Sequence, residues 1–157
     1  MTRILVCGSG DVGSAVAHAL AREGHEVVMQ DGRYPAHPRR GMSFTDAWYE
    51  GSAVLEDVLA KKARDAEDLE PMLHCGRAIP VTDLALERVV DLVAPDILVD
   101  ARVHKHDAAP AIRGLAPLTI GLGPGFEAGV TTDIVIETQR GPDLGAVRWT
   151  GHANDYG

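Results

Sequence analysis

The chain has 157 residues, a length that suits one domain with its own core, and residues 1–157 are expected to form a single domain. Its 45% hydrophobic and 24% charged residues exclude a disordered tract, and its net charge of −8 excludes nucleic-acid binding by bulk electrostatics. Two cysteines are too few for a disulfide framework; no signal-peptide layout and no apolar run of 18 residues is present, so no membrane span is expected and a cytoplasmic location is.

Ile4-Leu5-Val6-Cys7 is an apolar run that reads as a strand buried on both faces, with Cys7 as core packing. A helix is predicted over Asp11–Glu23, because Val12, Ala15, Val16, Ala19 and Leu20 recur at three and four residues, and Gly24 ends it. Glu26–Gln30 is the second strand. Residues 31–43 form a loop rich in Pro, Gly and Arg, after which Ser43 is placed to cap a short helix over Phe44–Glu50. Residues 53–63 fit a helix through Val54, Leu55, Val58 and Leu59, or a strand. A helix follows from Ala66 to Leu73, with Pro71 an awkward member and Cys75 near its end.

Ile79-Pro80-Val81 reads as a short strand whose proline points to a sheet edge or a strand end. A helix over Asp83–Val93 precedes strands at Ile97–Val99 and Leu118–Leu122. Ile134–Ile136 and Val147–Trp149 read as a terminal antiparallel hairpin. Strands alternating with helices give an α/β chain: a Rossmann-like, doubly wound, mostly parallel sheet closed by that hairpin.

Gly8-Ser9-Gly10-Asp11-Val12-Gly13 fits G-x-G-x-x-G between a strand and a helix. The first glycine serves the tight turn, the second the approach of a pyrophosphate, and the third the packing of helix on strand. The helix N-terminus then offers free amides and partial positive charge to an anion. Asp31 stands 18 residues beyond Gly13, at the end of the second strand, where a carboxylate accepts bonds from ribose hydroxyls and repels a 2′-phosphate. These residues, with Arg33 beside them, imply NAD or a related nucleotide as cofactor. Asp11 is an oddity in a phosphate loop, and capping the helix is its expected role.

Arg39 and Arg40 are candidates for a second anionic group, or else rim arginines. The segment Asp100–Asp107 follows a strand end; Asp100, Arg102 and Lys105 are candidate ligand contacts, with an Asp100–Arg102 pair open. His104 and His106 alone make no metal site, and no metal is expected. Gly121-Leu-Gly-Pro-Gly-Phe126 offers Gly123 and Gly125 for close approach to a ligand.

Several segments carry a resemblance. They are Gly8–Asp11, Arg39–Gly51, Asp96–Arg102, Gly121–Val130 and Val135–Gly141. Through them the chain resembles the Rossmann-type accessory family of the selenium-dependent molybdenum hydroxylase system. That resemblance implies a maturation protein for a molybdenum-cofactor hydroxylase, with that enzyme as partner and a nucleotide or pterin as small-molecule ligand. It also implies a further C-terminal region beyond Gly157, and the Gly151–Gly157 segment departs from the family pattern.

The residues themselves keep other readings open. A nicotinamide-dependent oxidoreductase would need an acid or base near the cofactor, and His104, Lys105 and His106 are the candidates, though no catalytic motif frames them. A non-catalytic dinucleotide sensor is the third reading. A homo-oligomer is compatible with all of them.

Overall fold

Strand β1 (Arg3–Cys7) lies at the centre of a nine-stranded sheet in this computed structural model, which describes residues 2–37 and 39–155. Met1, Pro38 of the basic loop, and Tyr156 and Gly157 of the divergent end lie outside the described residues. After β1 come α1 (Asp11–Arg22), β2 (Glu26–Gln30), α2 (Asp46–Glu50), β3 (Ser52–Leu55), β4 (Val58–Lys62), α3 (Ala66–Cys75) and β5 (Ile79–Thr82). Then follow α4 (Leu86–Val93), β6 (Ile97–Asp100), β7 (Leu118–Leu122), β8 (Ile134–Ile136) and β9 (Val147–Arg148).

The strand order is β3-β4-β5-β2-β1-β6-β7-β8-β9. Strands β4 to β8 are all parallel, and an antiparallel strand closes each edge. The architecture is Rossmann-like, with the C-terminal hairpin in place. Helix α4 carries the chain from one side of β1 to the other, so strand order reverses at the β1–β6 seam. The carboxyl ends of β1 and β6 therefore flank the crevice where ligands bind in such sheets.

The alternation of side chains explains the two-sided core. Ile4, Val6, Val27, Met29 and Val99 pack with Ala17 of α1 and with Phe44, Ala47 and Trp48. Leu5, Cys7, Val28 and Leu98 pack on Leu69 and Leu73 of α3 and on Val89 and Val93 of α4. No helix joins β6 to β7 or β7 to β8; Ile112, Phe126, Ala128 and Ala153 from loops and the C-terminal segment cover that part of the sheet.

Several boundaries differ from those the sequence suggests. Residues 53–63 are a hairpin: Leu55 pairs with Val58 across a two-residue turn, and Gly51 at φ 89° stops α2 just before it. Ser43 does not cap α2; it bonds Thr45, which holds the N-cap position. Helix α3 runs through Pro71 to Cys75, started by Asp65, whose side chain accepts from the amides of Glu67 and Asp68. Helix α4 begins at Leu86 rather than Asp83. Strand β5 is interior, although it contains Pro80. Val81 faces β4, where its carbonyl accepts from Ala63, so Pro80 faces β2; pairing with β2 begins only at Met29↔Val81. The proline nitrogen thus meets a stretch with no ladder to break.

Candidate functional site

The turn out of β1 depends on its glycines. Gly8 has φ +102°, and its amide donates to Gln30 O at 2.8 Å. A side chain at Gly8 would meet the backbone nitrogen and Cγ of Arg102 at 3.1 Å. A Cβ at Gly13 would sit 2.0 Å from Gly8 O, so α1 rests directly on the loop that precedes it. Gly10 is the N-cap of α1 and has open space where a side chain would be. No side chain caps this helix, so the first-turn amides of Asp11, Val12 and Gly13 face the crevice end without intrahelical acceptors. Asp11 is therefore not the cap. Its carboxylate pairs at 2.8 Å with Arg39, which offsets its charge beside the amides.

Ser9 is fully buried and braced from every side. Its amide and hydroxyl donate to Asp31 Oδ2 at 2.8 and 2.7 Å, while Gly32 donates to Asp31 Oδ1 at 2.7 Å. Its carbonyl accepts from Ser14 Oγ at 2.9 Å and from Thr45 Oγ1 at 2.6 Å, and Ser14 Oγ in turn accepts from the Phe44 amide. Ser9 consequently fixes the shape of the loop rather than presenting its own amide. Asp31 stands half-buried at the edge of the crevice, tied to that loop.

The opposite wall rises from the end of β6. Asp100 is fully buried and faces Cys7 across the β1–β6 pairing. Arg102 donates to it from its amide and Nε to Oδ1 and from the guanidinium to Oδ2, and His104 Nε2 lies 3.4 Å from Oδ2. The Asp100 carboxylate holds the Arg102 pKa above its ordinary value. Burial, reinforced by the Asp100 charge, pushes the Cys7 thiol far up, so it stays protonated. Between the two walls lies a cleft of about 530 Å³. Gly8–Val12, Asp31 and Ala36 line one side; Ala101–Val103, Lys105 and Thr138 line the other.

Other candidates lie elsewhere. Arg33 stacks over Tyr34, 5.5 Å from the ring centroid, and Arg40 pairs with Glu50; neither lines the cleft. Gly123 and Gly125 support the wall from behind: a Cβ at Gly123 would meet Thr138 Oγ1 and Val103 Cγ1, and one at Gly125 would meet Ala109. Ala36, Val103 and Thr138 are cleft residues that the sequence motifs did not single out. Of these, Thr138 had a signal, since it lies just past a strand end.

A second cleft of about 560 Å³, lined by Arg22, His25, His74, Cys75 and Arg77 among others, lies where β2, β4 and β5 begin and α1 and α3 end. Helix C-termini carry negative partial charge, which suits these basic side chains and disfavours a bound anion. His18, Glu56 and Asp57 come within metal-ligating distance among the described residues, but Arg22 already pairs with both carboxylates. Among the described residues no helix is long and apolar enough to cross a membrane.

Known proteins similar to this chain place its sequence in a family. The chain is 33% identical over 152 residues to "Uncharacterized protein YqeB" of Escherichia coli (strain K12), covering 97% of this chain and 28% of that relative. It thus spans little more than a quarter of the curated relative it matches. No solved structure matches. Residues 4–99, from β1 through the glycine loop to β6, match the family described as ketopantoate reductase PanE/ApbA. That match overturns the resemblance to the molybdenum hydroxylase accessory family, two of whose supporting segments, 121–130 and 135–141, lie outside the matched residues. The chain belongs to the ketopantoate reductase PanE/ApbA family.

Proposed function

We propose that this chain is the dinucleotide-binding domain of a nicotinamide-dependent oxidoreductase. One observation carries the reading: a single cleft joins Asp31, the glycine loop and the uncapped start of α1 to the Arg102–Lys105 wall. The adenosine ribose lies against Asp31, the pyrophosphate against the amides of Asp11, Val12 and Gly13, and the second nucleoside over the ends of β6 to β8. Arg102, held by Asp100, and Lys105 supply positive charge on the side where a carbonyl substrate would be reduced. The reductase family to which the chain belongs supports this role over a sensing or maturation role.

The family is typically one of NADP binders. Asp31 argues for NAD(H) in this member, because a 2′-phosphate would meet its carboxylate, and Arg33 is turned to Tyr34. Calorimetric titration with NAD⁺, NADH, NADP⁺ and NADPH tests the reading. It expects the 2′-hydroxyl cofactors to bind more tightly than their phosphorylated counterparts. Absence of heat with all four would overturn it.

A further inference from the structure

Glu56, Ala94 and Val103 are non-glycine residues with left-handed backbone, at φ 51°, 46° and 53°. For the first two the fold itself supplies the reason. Glu56 opens the two-residue turn between β3 and β4, and Ala94 is the C-cap of α4, both positions that call for positive φ. Val103 belongs to neither kind of site. A β-branched residue in this region is a genuine outlier, and such strain persists only where the surroundings dictate it, most often at ligand sites.

What dictates it here is visible. The residues on either side of Val103 both turn to one buried carboxylate: Arg102 through its amide and guanidinium, His104 through Nε2. Gly123 leaves room on the far side, since a Cβ there would lie 3.2 Å from Val103 Cγ1. The strained turn delivers the valine to the cleft wall.

We propose that Val103 is the apolar platform on which the nicotinamide ring packs, an assignment that rests on the dinucleotide reading of this cleft. With adenosine at the β2 end and pyrophosphate at the β1 loop, the second ring falls on the wall formed by Ala101, Arg102, Val103, Lys105 and Thr138. On that wall Arg102 and Lys105 are cationic, Thr138 is polar and Ala101 is small and buried. Val103 is the large uncharged surface among them. A ring that gains positive charge on oxidation is better seated on methyl groups than on a guanidinium or an ammonium.

Removing the strained side chain separates function from stability. Val103→Gly relieves the left-handed backbone but gives up the packing of a half-buried valine, so it is expected to melt close to the unaltered protein. It is also expected to weaken NADH binding roughly tenfold, while ADP-ribose, which has no nicotinamide, binds as to the unaltered protein. Equal loss for NADH and ADP-ribose, or no loss for either, would overturn the assignment and leave the dinucleotide reading standing. Failure of the unaltered protein to bind either ligand would overturn both. An independent check needs no variant: nuclear Overhauser contacts from Val103 methyl protons to nicotinamide protons are expected in the NADH complex, and contacts to adenine protons instead would contradict the platform.

Discussion

The Ser9 amide and hydroxyl both donate to one oxygen of Asp31, at 2.8 and 2.7 Å, and this tie joins the glycine loop to the end of β2. The carboxylate that would meet a ribose therefore also sets the loop that would meet the phosphates. Asp31→Ala leaves a fully buried hydroxyl and amide without their acceptor, which is expected to cost about 2 kcal/mol in urea unfolding. The same variant should bind NAD⁺ more weakly and discriminate less against NADP⁺ in a fluorescence titration. Unchanged stability would show that the tie does not brace the loop.

The glycines of the motif are predicted to fail in different ways. Gly13→Ala forces a methyl group to within 2.0 Å of Gly8 O, so the backbone must move; a loss of about 3 kcal/mol is expected in the unfolding midpoint. Gly10→Ala meets nothing within 4 Å, and its φ of −69° suits any residue. It should unfold within about 0.5 kcal/mol of the parent, yet its methyl group should obstruct the pyrophosphate. Dinucleotide titration beside urea melts of both variants separates a packing glycine from a binding one.

Acid stability should bear the mark of Asp133. Burial alone would raise its carboxyl, but the amide and hydroxyl of Thr119 and the guanidinium of Arg113 outweigh that and hold it below the usual carboxylate range. A carboxylate depressed in the folded state stabilises above its unfolded pKa of about 3.9, and that contribution is lost as pH falls through the folded value. Asp133→Asn should therefore lower stability at pH 7 and narrow its gap to the parent below pH 4. Melting temperatures measured from pH 7 down to pH 3 check this.

The thiols should differ sharply. Cys75 is exposed, whereas Cys7 is buried in the core with its pKa driven up by burial and by Asp100. In the native protein a disulfide reagent should titrate one thiol, lost in Cys75→Ser, and the second should appear only on unfolding. Rapid reaction of both would mean that the β1–β6 seam opens readily.

The fold was legible because its signals are local. Val27, Val28 and Met29 form an unbroken apolar run, and Val12, Val16 and Leu20 repeat at helical spacing. Residues 53–63 resisted because Val54, Leu55, Val58 and Leu59 satisfy a helix as well as a hairpin whose turn is Glu56–Asp57, with none of the usual Asn-Gly chemistry. Pro80 suggests a sheet edge or a strand end, and the second holds: it stands just before β5 begins to pair with β2, a long-range register that sequence does not display.

The candidate site divides in the same way. Gly8, Gly10, Gly13 and Asp31 were readable because the motif and its spacing are a local pattern. Arg33 and Arg40 looked equally suited to an anion, but Tyr34 and Glu50 engage them nearby. Val103 and Thr138 reach the cleft only because β6, β7 and β8 lie side by side, and the Ser9 carbonyl accepts from Thr45, 36 residues away.

The central claim is that the uncapped opening turn of α1 receives the phosphates of a dinucleotide. Amide chemical shifts of ¹⁵N-labelled protein titrated with NADH test it most directly. The account predicts saturable shifts at Gly10, Asp11, Val12 and Gly13, together with Asp31 and Val103. Shifts confined to the second cleft, around His74 to Arg77, or no shifts at all, would contradict it.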